Sequence, residues 1–258
     1  MYARPSGIVT LTTDFGWVDP YVGIMKGALF DVAPRPTVVD ISHDVPPQDI
    51  GAGAFFMWSL IDRFVDGTVH VGVVDPGVGG SRRALAVAAR GQYWLAPDNG
   101  LLSAVIAMDP AAEVRALDLE QLRIRREAVT FDGRDVFAPV AAMISSGRYG
   151  FSALGPRVTD AVSGDVLFEG EGRVAHVDRY GNCITNLRGP LKLGEAVQIG
   201  GRQVRAHRTY SDVAPGELLA YMGSFGLVEV AARDGSAQAI LGSRLGDAVS
   251  LVTPKPAP

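Results

Sequence analysis

The chain changes rhythm near residue 160. Up to that point, short β-branched runs alternate with longer stretches of helical apolar pattern. Ile8–Thr12 reads as a buried strand, followed by the polar turn Thr13-Asp14-Phe15-Gly16 and a helical pattern over residues 20–32. Thr37–Ile41 reads as a second strand, and residues 48–65 as a long helix with an apolar face. Val69–Val74 is a third strand, ending at Asp75-Pro76-Gly77-Val78-Gly79-Gly80. Leu85–Ala89 and Tyr93–Ala96 are a fourth and a fifth, and residues 135–147 a further helix. Such alternation predicts an α/β layered domain with a largely parallel sheet. Ligand sites in such sheets form at the carboxyl ends of strands. Asp14, His43 and Asp75 each fall just beyond a predicted strand.

After Leu154-Gly155-Pro156 the texture differs. RVAHVD, CITNL, AVQIG, RQVRAH, LLAYM, LVEVA and AVSLV are short strands among frequent glycines, with no long helix. That pattern predicts a small all-β barrel or sandwich. The expected organisation is an N-terminal α/β domain over residues 1–158 and a C-terminal β domain over residues 168–253, with the boundary within 155–168. The closing TPKPAP is read as a proline-rich tail that frays.

Composition narrows the function classes. With 258 residues, 47% of them hydrophobic, and a net charge of only -4, the chain is not disordered. Nor does it carry the basic footprint of a nucleic-acid binder. The run Arg123, Arg125, Arg126 is flanked by Glu120 and Glu127 and reads as a solvated face. A single cysteine, Cys183, excludes an internal disulfide and a cysteine-based zinc site, and reads as a small packing residue. The opening MYARPSGIVTLTTDFG lacks the parts of a signal peptide. No window reaches the roughly 18–20 apolar residues of a membrane span. The expectation is a soluble, cytoplasmic protein with neither nucleic-acid nor membrane partner.

Aspartates are frequent at the predicted turns: Asp14, Asp19, Asp40, Asp75, Asp98, Asp132 and Asp135. Aspartate favours turns and caps by accepting backbone N–H bonds, which accounts for most single cases. Asp75 asks for more, because it ends a buried strand beside glycines that let a ligand approach the backbone. Gly77-Val78-Gly79-Gly80 completes neither a dinucleotide fingerprint, since Arg82 stands at the last glycine's place, nor a P-loop. His43, His70, His176 and His207 form no close ligand pair, and no G-x-S-x-G elbow occurs. Aspartates alone could still hold a metal ion, although their spacing lacks EF-hand order. Thr130–Asp135 packs two carboxylates, an arginine, an aromatic and a glycine ahead of a helix, with Asp135 suited to an N-cap with a local ion pair.

Taken together, these segments resemble the S-adenosyl-L-methionine (SAM) hydroxide adenosyltransferases, or SAM hydrolases, relatives of the fluorinase and chlorinase. The matching motifs are TTDFG (12–16), YVGIMKG (21–27), DISHDVPPQDI (40–50), GTVHVGVVDPGVGGSRR (67–83), APDNGLL (96–102) and TFDGRDVFAPVAA (130–142). VDRYGNCITNL (177–187), TYSDVAPGE (209–217) and YMGSFGLVEVA (221–231) follow in the second half. The resemblance implies an N-terminal α/β domain, a C-terminal β-barrel, and a homotrimer with sites between one subunit's N-terminal domain and its neighbour's C-terminal domain. It implies hydrolysis of SAM to adenosine and L-methionine, with no metal or other cofactor. The halogenases have an aromatic and small hydroxyl residues where this chain has Asp75 and Val78, so DPGVG resembles the hydrolase branch.

The implied chemistry suits these residues. Water attacks the ribose 5′ carbon, and a neutral thioether leaves. A sulfonium and a hydroxide-like nucleophile cancel their charges in the transition state, so a dry pocket favours it. The resemblance assigns Asp75 and Arg82 to orienting water and holding the developing hydroxide. An arginine beside an aspartate favours the carboxylate and weakens it as a base, which points to orientation. The third catalytic position, usually histidine in TFHGRD, is Asp132 here. The resemblance also implies Asp14 as the acceptor of both ribose hydroxyls and Asn182 as the adenine reader. Phe131, Tyr180 and Tyr210 would wall the adenosine, with Ser224 and Glu229 at the purine edge. Asp19 and Asp178 are candidates for the methionine ammonium. Two other classes stay open: a SAM- or adenosine-binding protein without turnover, and an aspartate-based metallohydrolase.

Overall fold

The structure, a computed structural model, describes residues 2–33, 35–164 and 170–252. The TPKPAP tail and residues 165–168 of the expected boundary lie outside the described residues. Contacts divide the chain into two compact units, residues 1–166 and 167–258.

In the first unit, β1 (Ile8–Thr13) leads to α1 (Tyr21–Val32), β2 (Thr37–Ser42), α2 (Ile50–Ser59) and β3 (Val69–Val73). Then come β4 (Ala84–Ala89), β5 (Gln92–Pro97), α3 (Ser103–Ala107) and β6 (Glu113–Ala116). A single wide π turn, Gly133–Phe137, runs into α4 (Ala138–Ser145). The strands form one sheet in the order β2-β1-β3-β5-β4-β6. Strand β1 pairs parallel with β2 and β3, and β3 parallel with β5. The α/β fold with a largely parallel sheet is as the sequence predicts. Two elements were not read from it, the edge strand β6 and the short α3. The helix expected over 48–65 is shorter, capped by Asp49, whose carboxylate accepts the Ala52 N–H at 2.9 Å.

The fourth and fifth strands make an antiparallel hairpin. Arg90 and Gly91 both take positive φ, 54° and 72°, the two-residue turn whose twist matches a hairpin. This reversal matters for the site. Because β4 runs against β5, with Ala84 opposite Pro97, residues just before β4 lie at the edge where the parallel strands end. Arg82 and Arg83 therefore arrive beside the turns that follow β3 and β5.

Side chains alternate between two cores. Ala86 and Leu95 belong to the layer filled by Met25, Leu29, Phe137 and Val140. Val87 and Trp94 belong to the layer filled by Met57, Leu101 and Val105. Helices α1 and α4 cover one face, α2 and α3 the other, and β3 and β5 are buried throughout.

In the second unit all seven expected strands are present: β7 (Val174–Val177), β8 (Cys183–Arg188), β9 (Ala196–Ile199), β10 (Arg202–Arg205), β11 (Leu218–Met222), β12 (Leu227–Ala232) and β13 (Ser250–Val252). They form two antiparallel sheets, β11-β12-β8-β7 and β10-β9-β13. Isolated bridges join Ala206 to Ala220 and Arg173 to Ala248. A five-residue helix, α5 (Ala237–Leu241), is capped by Ser236, whose hydroxyl accepts the Ala239 N–H at 3.1 Å. Cys183 is fully buried in this core, and burial pushes its thiol up to about 11. No helix among the described residues is long and apolar enough to cross a membrane.

Candidate active site

The turn after β3 delivers Asp75, and the approach to β4 delivers Arg82. Arg82 Nε donates to Asp75 Oδ1 at 3.1 Å, and its Nη2 to Asp75 Oδ2, a two-pronged pair. The same Nη2 lies 2.6 Å from Asp132 Oδ2. Asp132 stands at the head of the π turn and is buried, 1% exposed. Its other partner is Arg126, whose Nε reaches Oδ1 at 2.6 Å and whose Nη2 reaches Oδ2 at 3.0 Å. Two guanidiniums thus flank one buried carboxylate. Burial alone would raise the Asp132 pKa, but the hydrogen bonds from Arg126 and Arg82 hold it below the usual carboxylate range. Asp132 is an anion here, which suits it to electrostatics rather than to taking a proton at neutral pH.

The GRD residues that follow shape this corner. Asp135 pairs with Arg134 Nε at 2.6 Å, the local ion pair the sequence points to. It does not cap the helix. Instead its Oδ2 accepts the N–H groups of Glu127 at 2.9 Å and Ala128 at 3.0 Å. That ties down the chain immediately after Arg126. The arginine run is solvated as expected, but at Arg126 the guanidinium also reaches inward to the buried Asp132. No composition signal could have shown this, since its partner lies six residues on across irregular chain.

Phe131 packs edge-on against Tyr21 (5.4 Å between ring centres) and Phe15 (5.8 Å), with the Arg134 guanidinium 5.2 Å over its face. A Cβ on Gly133 would meet the Phe15 ring at 3.2 Å, so the turn after β1 rests directly on this backbone. Asp14, at the end of β1, is half-buried and accepts the Gln48 N–H at 2.8 Å through Oδ2. His43 supports the same turn: it is fully buried, its Nδ1 is 2.8 Å from Thr13 Oγ1 and its Nε2 3.0 Å from Asp40. Its carbonyl accepts the Gly16 N–H at 2.7 Å. Asp19 is exposed in the loop before α1. Asp98 serves the scaffold, binding Arg83 at 2.6 Å and the Val162 N–H at 2.7 Å.

In the second unit, Tyr180, Asn182 and Tyr210 line one cavity of about 730 Å³ together with Arg233, Asp234 and Gly235. Asp178 accepts three hydrogen bonds, from the N–H groups of Tyr180 and Asn182 at 2.9 Å each and from Asn182 Nδ2 at 2.8 Å, and so fixes the Asn182 amide. Tyr210 reaches Glu229 through a second tyrosine that no pattern in the sequence singles out. Its hydroxyl is 2.9 Å from that of Tyr221, which donates to Glu229 Oε2 at 2.6 Å. Burial, with Asp178 nearby, raises the Glu229 pKa against the opposing bond from Tyr221. Ser224 is exposed in the turn between β11 and β12. Among the described residues, no three His, Cys, Asp or Glu side chains group as metal ligands.

Comparison with known proteins bears directly on this arrangement. Family models of the SAM hydroxide adenosyltransferase N-terminal and C-terminal domains match residues 9–155 and 172–250. The chain belongs to this family. An (R)-S-adenosyl-L-methionine hydrolase from Thermus thermophilus is 43% identical over 95% of this chain and 99% of its own length. A fluorinase from Actinoplanes sp. is 26% identical over 72% of this chain and 74% of its own. A crystal structure of a conserved protein from Thermotoga maritima, 31% identical, superposes with a TM-score of 0.85 over 95% of this chain and all of that one. The Asp75–Arg82 pair lies within the N-terminal match, and the Asn182 cavity within the C-terminal one.

Proposed function

We propose that this chain hydrolyses SAM to adenosine and L-methionine. Family membership and the hydrolase relative support the reaction. The observation that carries it into this chain is the largely buried Asp75–Arg82 pair at the sheet edge where α/β folds build their sites. Asp75 orients a water, and Arg82 faces the negative charge that grows on its oxygen. The oxygen forms a bond to the ribose 5′ carbon as the carbon–sulfur bond breaks. The bond pair leaves with sulfur as the neutral thioether of methionine, and the water's extra proton passes to solvent. The sulfonium charge is lost as the hydroxide charge is lost, so a water-poor setting lowers the barrier. Asp132, gripped by both Arg82 and Arg126, holds Arg82 in place rather than abstracting a proton, a reading supported by its lowered pKa.

The remaining contacts belong to the same reading. Asp14 accepts the ribose hydroxyls, and Asn182, locked by Asp178, reads the adenine edge. Phe131, Tyr180 and Tyr210 wall the nucleoside, with Ser224 and Glu229 at the purine edge and Asp19 or Asp178 near the methionine ammonium. The two β-sheets of the second unit close into a barrel, a reading supported by the Ala206–Ala220 and Arg173–Ala248 bridges between their outer strands. Three copies assemble in the cytoplasm, each completing its neighbour's site, and no cofactor takes part. Incubation with SAM, followed by chromatography, should yield adenosine and methionine in equal amounts. Intact SAM after long incubation with protein in excess rejects the enzymatic reading. Light scattering at the mass of a monomer rejects the trimer.

A further inference from the structure

We infer that Arg126 is a positioning residue for this reaction, acting through Asp132 to keep the charged cluster neutral so that Arg82 can serve the water-derived oxygen. This rests on the SAM-hydrolase reading.

The argument starts from charge. Asp75 and Asp132 both contact Arg82, and both are nearly buried. Two carboxylates on one guanidinium would leave a net negative charge where a hydroxide-like oxygen must develop. Coulomb repulsion there opposes the nucleophile, and it is poorly screened away from water. Arg126 removes the imbalance with a two-pronged pair to Asp132 at 2.6 and 3.0 Å. The cluster is then a chain of alternating sign, Asp75–Arg82–Asp132–Arg126, with as many cations as anions. With Asp132 neutralised by Arg126, the cluster as a whole carries no net negative charge to oppose the growing oxyanion.

A second observation is independent of those distances. Arg126 sits on irregular chain and is 38% exposed. A long side chain in that setting loses much conformational freedom when it is held in one pose. Asp135 limits that cost by gripping the next two backbone N–H groups, those of Glu127 and Ala128. Arg134 in turn neutralises Asp135. The charged groups around Asp132 are therefore Arg82 from the approach to β4, Asp75 from the turn after β3, and Arg126 with Glu127 from the preceding loop. Arg134 and Asp135 lie on its own turn.

The test is a charge cycle. Arg126→Gln leaves the cluster net negative, and Arg126→Gln with Asp132→Asn makes it neutral again. Arg126→Lys keeps the charge and loses the fork. Steady-state kinetics with SAM should show kcat falling about tenfold or more in Arg126→Gln, with KM changed by less than about threefold. The double variant should recover most of that loss, and Arg126→Lys should fall between wild type and Arg126→Gln. The acid limb of the kcat profile should move to higher pH in Arg126→Gln. Carbon NMR of the Asp132 carboxyl, followed against pH in the same proteins, should show titration at higher pH once Arg126 is gone. Thermal unfolding of each variant confirms that the fold persists.

If Arg126→Gln matches wild type in kcat and in the Asp132 titration, the inference is overturned. It is equally overturned if the double variant, still folded, is no faster than Arg126→Gln. If wild type itself consumes no SAM, the reading of the function fails. The charge role is then decided by the carboxyl titration alone: an unmoved Asp132 rejects it, and a raised one upholds the pairing.

Discussion

His70 gives this protein a stability that depends on pH. It lies on the central strand β3, fully buried, stacked on Trp94 at 4.2 Å and edge-on to Phe64 at 5.3 Å, with Nδ1 2.8 Å from Thr10 Oγ1. Burial pushes its pKa from 6.5 down to about 3, and the neighbouring Gln92 offsets this only in part. The folded value lies below the unfolded one, so the unfolded chain takes up a proton that the folded chain refuses. Stability is therefore undiminished above pH 6.5, falls as the pH drops through that value, and goes on falling until about 3. At pH 5 the gap of about 1.5 pH units, at roughly 1.36 kcal/mol each, predicts a loss of ~2 kcal/mol from this one ring. Urea unfolding at fixed protein concentration, at pH 7 and pH 5, measures it. His70→Gln should lower stability at pH 7 yet show a drop between the two pH values that is smaller by ~2 kcal/mol. Equal drops in the two proteins would refute the assignment of a neutral, buried ring. The experiment also bears on the acid limb of any rate profile, because it separates unfolding from titration at Asp132.

Three further predictions are direct. Tyr221→Phe removes the donor to Glu229 and should cost about 1–3 kcal/mol in thermal or urea unfolding, with no loss refuting the buried bond. Cys183, its thiol raised to about 11 and fully buried, should resist alkylation at pH 8 until denaturant is added; rapid labelling of folded protein would contradict this core position. Asp178→Ala frees the Asn182 amide and should weaken adenosine binding by about tenfold in calorimetry, an unchanged affinity showing that the amide is not held for this ligand.

How much of this was legible in sequence depended on how local each signal was. Strands such as β1 and β3 announce themselves through consecutive β-branched residues. The β strands of the second unit are just as plain, because glycine turns separate them. The direction of β4 was less so: its reversal rests on Arg90-Gly91, and an arginine at a left-handed position is a faint cue where asparagine would be a loud one. Helix α3, at five residues, is too short to show a period. Asp75 stood out because it ends a buried strand beside glycines, whereas Arg82 was marked only by the resemblance to a known family. Arg126 did not stand out, since a run of arginines between glutamates has the same composition whether it meets solvent or a buried carboxylate. Tyr221 was hidden for a related reason: on a strand it looks like any half-buried aromatic until its hydroxyl is seen against Glu229.

The bare backbone at Gly133 is a spacer of zero width. Phe15 leans on it from one side, and the residues just before each of these two are Asp14 and Asp132. Widening that spacer by one methyl group would shift the two turns relative to each other by a few tenths of an ångström while leaving every ionic group chemically intact. Someone reshaping this protein to accept a bulkier sugar would have, at position 133, a dial for distance that is separate from the dial for charge.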